Sequence, residues 1–183
     1  MIRQLLTAPN QLTLLRLLFI PFIVIFVLDN QWGWALGLFV LAGLTDNLDG
    51  LLARLLKQKT VLGQYLDPIA DKLLLSTLFL VLSVAGKIPW KFTVLVFSRD
   101  VGIVVTSAIV YATTTLRDFR PSIFGKANTV AQILTLFFVM LRELTPAPWV
   151  AFARDAGLWT TVALTVISGV HYIILLNRRL HGS

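Results

Sequence analysis

Two short segments, DNLDGLLAR at residues 46–54 and GQYLDPIADK at residues 63–72, decide how this chain folds and what it can bind. Each segment places two aspartates inside or beside a long apolar run, where a carboxylate is costly unless it has a task or a partner. The four carboxylates belong to Asp46, Asp49, Asp67 and Asp71. Because residues three or four apart share a helix face, two helices can each turn one carboxylate pair toward a common point. Crowded anions need compensating charge, and an all-oxygen ligand set suits hard divalent cations.

The same carboxylates allow two other interpretations. They could form a buried ion-pair network with the cationic side chains of Arg54 and Lys72. They could also line an ion or proton pathway in a transporter, because ionisable residues inside a membrane often mark such pathways. Transporters commonly contain inverted repeats and helices broken at the bilayer midplane. The sequence shows neither feature clearly, and its aspartates cluster toward one membrane face, so a metal site is the preferred interpretation.

The composition indicates an integral membrane protein. The chain is 57% hydrophobic and 14% charged, with a mean hydropathy of +0.82, which is too apolar for a soluble domain of this size. Its 183 residues predict a single transmembrane domain over 1–183. The absence of cysteine excludes disulfide and thiolate chemistry. A net charge of +7 suits anionic lipid headgroups and phosphate substrates, whereas nucleic acid is not an expected partner.

Apolar runs separated by turn residues predict an all-α polytopic fold with six transmembrane helices. The predicted spans cover roughly residues 12–29, 32–56, 61–85, 90–112, 122–141 and 150–176. Residues 1–10 are expected to form a short interfacial segment. Lysine and arginine near the span ends place both termini and the 57–60 and 113–121 connections on the cytoplasmic side. With no recognisable signal or transit peptide, the expected location is a bacterial cytoplasmic membrane, with the aspartates facing the cytoplasm.

The pattern D-x2-D-G-x2-A-R-x8-G-x3-D-x3-D is matched at every specified position by residues 46–71. It resembles the signature of the CDP-alcohol phosphotransferases. The resemblance implies that the four aspartates bind two divalent ions, for which Mg²⁺ or Mn²⁺ suits the carboxylate set. It also implies that Asp71 is the general base for an acceptor hydroxyl that displaces CMP from a CDP-linked lipid. The implied CDP-lipid contacts are Asn10, Thr13, Gly50, Ala53, Arg54, Thr60 and Gly63. A homodimer is compatible with this family, but the sequence does not locate its interface.

Within that family, the segments SRDV at 98–101 and GKANT at 125–129 are most similar to cardiolipin synthases of the mitochondrial type, which use CDP-diacylglycerol. This likeness implies an acceptor site at Arg99, Lys126 and Asn128, with phosphatidylglycerol as the acceptor. The alternative is a phosphatidylglycerophosphate synthase, which usually has a second lysine where Asn128 stands. Glycerol 3-phosphate is a dianion that favours several cations, whereas phosphatidylglycerol is a singly charged diester. Asn128 therefore favours phosphatidylglycerol, although the short 113–121 connection departs from the mitochondrial enzymes.

The polar residues Arg99, Asp100 and His171 lie inside apolar spans. Neighbouring residues point about 100° apart on a helix, so Arg99 and Asp100 need not pair with each other. They are expected either to serve a polar cavity or to form a structural ion pair between helices. His171 is expected to be a hydrogen-bonded packing residue.

Overall fold

The computed structural model describes residues 8–55, 61–113 and 123–181, and within these segments all regular structure is α-helical. The described helices are α1 (Ala8–Leu28), α2 (Trp32–Leu55), α3 (Val61–Val84), α4 (Trp90–Thr113), α5 (Ile123–Leu144) and α6 (Pro148–His181). The all-α prediction is confirmed for this part of the chain. Most helix limits agree closely with the predicted spans. Helix α1 begins at Ala8, inside the segment 1–10 that was predicted to be interfacial, and α5 and α6 extend beyond their predicted ends.

Three short connections reverse the chain direction. They comprise residues 29–31, 85–89 and 145–147. The first contains Asn30 with a φ of 57°, and the second contains Gly86 with a φ of 71°. Both residue types tolerate this left-handed conformation better than most others, so a helix can end there and the next can fold back against it.

These three connections meet at one end of the bundle, which we call the turn end. Lys87 of the second connection donates a 2.6 Å hydrogen bond to Glu143, near the end of α5. The Lys87 ammonium also lies 5.1 Å from the ring centroid of Trp32, the first residue of α2. It follows that α2 runs away from the turn end and α3 runs toward it.

The core is formed mainly by α1 to α5. Helix α1 packs against α2 and α3, and α3 also contacts α4 and α5. Ile23, Phe39, Leu78, Val96 and Leu136 represent these five helices in one buried apolar cluster. In the described residues, two helical segments are long and apolar enough to cross a membrane: Ile123–Leu144 and Pro148–His171.

Helices α5 and α6 approach closely through small and hydroxylated residues. A Cβ atom built on Gly157 would lie 2.9 Å from the hydroxyl oxygen of Thr135 and 3.4 Å from its Cα. That hydroxyl cannot easily move, because Thr135 bonds to the Ala131 carbonyl at 2.7 Å and to the Thr161 hydroxyl at 2.9 Å. Small residues commonly allow this kind of approach between membrane helices.

Replacing Gly157 with alanine is therefore expected to destabilise the α5–α6 pair. Gly169→Ala, on the same helix, is the matched control because nothing lies within 4 Å of its built Cβ. Both substitutions raise helix propensity by the same amount. The difference between their free energies of unfolding therefore gives the packing cost at Gly157, about 1–3 kcal/mol. Thermal unfolding in detergent micelles measures this difference. Equal midpoints for the two variants would contradict the packing argument.

Candidate functional site

The four motif aspartates lie on two consecutive helices, α2 and α3, which run in opposite directions. At 1.5 Å per residue, Asp46 on α2 and Asp71 on α3 both lie roughly 20 Å along their helices from the turn end. Asp49 and Asp67 both lie roughly 26 Å from it. The backbone positions of the two aspartate pairs therefore lie at matching depths, away from the turn end.

The structure describes only part of this predicted site at the level of side chains. Asp71 is half-buried and Thr13 is buried on α1. Thr60 lies outside the described residues. The site residues on helices whose side chains are not described are Asn10, Asp46, Asp49, Gly50, Ala53, Arg54, Gly63 and Asp67. Among the side chains that are described, no group of three or more His, Cys, Asp or Glu could hold a metal, so the metal site stays a prediction.

An ion cluster of Lys72, Arg99 and Asp100, which we call the Asp100 cluster, begins one residue after Asp71. The Lys72 ammonium on α3 lies 3.2 Å from each carboxylate oxygen of Asp100 on α4. One of those oxygens also accepts a 2.7 Å hydrogen bond from Nη1 of Arg99. Asp100 is 7% exposed and the Arg99 side chain 9%, so this carboxylate serves two cations in a setting that excludes most water.

This cluster changes two sequence-based interpretations. Arg99 and Asp100 do pair, because the long arginine side chain spans the angle between neighbouring helix positions. Lys72 pairs with Asp100, whereas the ion-pair interpretation had assigned it to the motif aspartates. The donor chemistry of the four motif carboxylates fits divalent ions.

A chain of hydrogen bonds continues from the cluster through α6 to α5. Nε of Arg99 donates to the Ser168 hydroxyl at 3.0 Å, and that hydroxyl donates to the Thr165 carbonyl at 3.1 Å. The Thr165 hydroxyl donates to Oδ1 of Asn128 at 3.1 Å. Ser168, Thr165 and Asn128 are all nearly or fully buried. Two of the three predicted acceptor residues, Arg99 and Asn128, are therefore joined in one network.

The third predicted acceptor residue is placed differently. Lys126 is exposed near the start of α5. Gln132 lies one turn beyond Asn128 and is fully buried. Neither polar atom of the Gln132 amide has a hydrogen-bond partner in the described part of the chain. His171 lies edge-on to Phe124 at 5.1 Å between ring centroids, which agrees with packing, and its predicted hydrogen bond stays a prediction.

Neither the pairing of Lys72 with Asp100 nor the hydroxyl groups of α6 were predicted from the sequence. A signal for the hydroxyls was available. Thr161, Thr165 and Ser168 follow the spacing i, i+4, i+7, which places three polar side chains on one face of an apolar helix. Asn128, Gln132 and Thr135 repeat that spacing on α5, so the two polar faces could have been matched to each other.

Comparisons with known proteins agree on one protein family. A family model described as CDP-alcohol phosphatidyltransferase matches residues 6–167. The chain is similar to the CMP-forming cardiolipin synthase of Rattus norvegicus, with 37% identity over 147 residues that cover 70% of this chain and 48% of the rat protein. The human protein of the same name is 35% identical over 147 residues, which again cover 70% of this chain and 48% of that protein. The chain spans about half the length of these two relatives.

Two bacterial relatives carry other names. A "probable phosphatidylglycerophosphate synthase" of Mycobacterium tuberculosis is 34% identical over 185 residues, covering 94% of this chain and 83% of that protein. A "CDP-diacylglycerol–glycerol-3-phosphate 3-phosphatidyltransferase" of Bacillus subtilis is 32% identical over 180 residues, covering 90% of this chain and 92% of that protein. The relatives are therefore named either as cardiolipin synthases or as enzymes that make phosphatidylglycerophosphate or act on glycerol 3-phosphate.

Proposed function

The chain belongs to the CDP-alcohol phosphatidyltransferase family, and from this membership we propose that it transfers the phosphatidyl group of CDP-diacylglycerol to phosphatidylglycerol. The products would be cardiolipin and CMP. The observation that carries this choice of acceptor is the sharing of one buried carboxylate, Asp100, by the two cations of Lys72 and Arg99.

The reaction is proposed to take place in a membrane crossed by all six helices. Each described helix has at least 21 residues, enough to span a hydrocarbon core of about 30 Å. Large apolar side chains such as Phe22, Val94 and Val166 are more than half exposed, and lipid is the solvent that suits them. The proposed location is a bacterial cytoplasmic membrane, with the motif aspartates nearer the cytoplasmic face than the turn end.

The CDP-lipid is proposed to bind beside the four motif aspartates. Their carboxylates would hold two divalent ions, Mg²⁺ or Mn²⁺, at the matched depths of α2 and α3. Bound ions would supply charge neutralisation for the pyrophosphate and the departing CMP. Arg54 suits phosphate oxygens because its guanidinium is planar and always charged, and Gly50 and Gly63 would allow close approach of the lipid headgroup.

Asp71 is proposed as the general base. Its carboxylate would accept the proton of the acceptor hydroxyl while the hydroxyl oxygen attacks the phosphorus and CMP leaves. The adjacent Lys72 donates hydrogen bonds to both carboxylate oxygens of Asp100. The proposed base is therefore next in sequence to one cation of the Asp100 cluster.

The net charge of the Asp100 cluster favours binding of a phosphodiester over binding of a phosphate dianion. Lys72 and Arg99 contribute two positive charges and Asp100 one negative charge, so the cluster carries one net positive charge. The neighbouring Asn128 is neutral. A phosphatidylglycerol diester carries one negative charge and balances the cluster, whereas glycerol 3-phosphate would leave part of a dianion uncompensated in a poorly hydrated site.

Phosphatidylglycerophosphate synthesis is the second candidate function. The relatives from Mycobacterium tuberculosis and Bacillus subtilis favour it, because this chain covers most of their length. The exposed Lys126 could also add a second net positive charge for a dianion if its flexible side chain reached the cluster.

An acceptor assay decides between the two candidates. The purified chain is supplied with CDP-diacylglycerol and Mg²⁺ or Mn²⁺, and each acceptor is offered separately in mixed micelles. We expect CMP release with phosphatidylglycerol and much less with glycerol 3-phosphate, and lipid extraction should yield cardiolipin. Consumption of glycerol 3-phosphate without use of phosphatidylglycerol would replace the proposed function with the second candidate. Asn128→Lys adds a cation and should raise only the use of glycerol 3-phosphate.

A further inference from the structure

The last helix links the two buried residues proposed to bind the acceptor. Ser168 accepts a hydrogen bond from Arg99, and Thr165 donates one to Asn128. These two contacts come from one face of α6, three residues apart. Neither α6 residue belongs to the metal motif or to the segments that resemble cardiolipin synthases.

The contact from Thr165 fixes how the Asn128 amide is presented. A carboxamide has an oxygen that accepts and an amino group that donates. Because the Thr165 hydroxyl donates to Oδ1, the oxygen of Asn128 faces α6 and the amino group is left for another partner. Nδ2 is buried and has no hydrogen-bond partner among the described residues. An amino group buried in this way normally bonds to an oxygen.

We propose that Thr165 is a positioning residue for acceptor recognition. Its hydroxyl holds the Asn128 carboxamide in one orientation, so that Nδ2 donates to a hydroxyl or phosphodiester oxygen of the acceptor alcohol. Without that hydroxyl, Oδ1 loses its donor and the amide can rotate about its last side-chain bond. The inference rests on the acceptor-binding role of Asn128 in the proposed function.

The Thr165→Val variant tests the inference, because valine keeps the side-chain shape and removes the donor. We expect the KM for the acceptor to rise about 3- to 10-fold, with little change in kcat or in the KM for CDP-diacylglycerol. Thr165→Ser restores the hydroxyl and should restore the acceptor KM. In mixed micelles, the surface concentration of one substrate is held fixed while that of the other is varied. This gives the KM for the acceptor and the KM for CDP-diacylglycerol separately.

Thr161→Val is the matched control. Thr161 is buried one turn away on α6 and loses an equivalent hydroxyl contact, at 2.9 Å to Thr135, without touching Asn128. It should leave the acceptor KM unchanged. If Thr161→Val raised that KM as much as Thr165→Val did, or if Thr165→Val raised both substrate KM values equally, Thr165 would have only a structural role.

A second measurement covers the case in which Thr165→Val does not fold. Thr165→Ala and Thr165→Ser are each made in the wild-type protein and in Asn128→Leu. Thr165→Ala should have a higher acceptor KM than Thr165→Ser only where Asn128 is present. An equal effect in both backgrounds would overturn the inference. All assays use whichever acceptor the wild-type protein consumes. Failure of phosphatidylglycerol as a substrate would therefore refute the proposed function, whereas the Thr165 test would still proceed with glycerol 3-phosphate.

Discussion

Replacement of Asp71 with asparagine is expected to lower kcat by about 100- to 10,000-fold, the usual contribution of a general base. Asparagine has the same shape but cannot accept the proton of the acceptor hydroxyl, and it is a poorer ligand for a divalent ion. The fold should persist, because the described core is apolar and Asp71 lies outside its buried cluster. Release of CMP from CDP-diacylglycerol under saturating acceptor measures the effect.

Two controls separate catalysis from folding and general charge loss. Asp29→Asn removes a carboxylate from the exposed connection at the turn end and should retain wild-type turnover. Thermal unfolding of Asp71→Asn in detergent should match that of the wild-type protein. EDTA should abolish wild-type turnover, and Mg²⁺ or Mn²⁺ should restore it. Full activity in Asp71→Asn, or in the wild-type protein after EDTA treatment, would remove the basis for the proposed mechanism.

Several helix limits could be predicted from sequence because the apolar run stops at residues that end helices. The run before Asn30 and the run before Gly86 stop where the chain adopts positive φ. The predicted start of the fourth span at Trp90 coincides with the first residue of α4. Local chemistry decides these positions, so no knowledge of neighbouring helices was needed.

The contacts between helices could not be predicted in the same way. Spacing identified Arg99 and Asp100 as polar residues inside a span, but their partners depend on which helices lie alongside. The structure places Lys72 on one side and Ser168 on the other, and these residues are 28 and 69 positions away from their partners in sequence. Packing geometry determines such pairs, and a single sequence contains little information about it.

The acceptor alcohol is harder to predict than the family for a similar reason. The family signature is a set of residues at fixed spacing, and every position of it can be checked along the chain. Acceptor preference depends instead on the sum of charges that several helices bring together. Asn128 suggested fewer cations, yet the charge of the site also depends on Asp100 neutralising one of the two cations beside it.

Asp100→Asn is expected to lower the free energy of unfolding by about 3 kcal/mol, because removing one partner of a buried ion pair leaves the other charge uncompensated. Arg99 is 9% exposed and would retain a hydrogen bond to Ser168 without a counterion. Lys72 is 34% exposed, so water can offset part of its loss. Reversible unfolding in detergent or mixed micelles measures the change.

The chain contains a close control for this experiment. Arg154 and Asp155 are also adjacent on a helix, and their Nη2–Oδ1 distance is 2.7 Å, the same as the Nη1–Oδ1 distance of the buried pair. Asp155 is 57% exposed, so Asp155→Asn should cost less than about 1 kcal/mol. Equal effects of the two substitutions would show that burial does not set the strength of the Asp100 cluster. A large effect at Asp100 alone, together with increased use of glycerol 3-phosphate by Asp100→Asn, would connect the buried charge to acceptor choice, because that variant raises the net charge of the cluster by one.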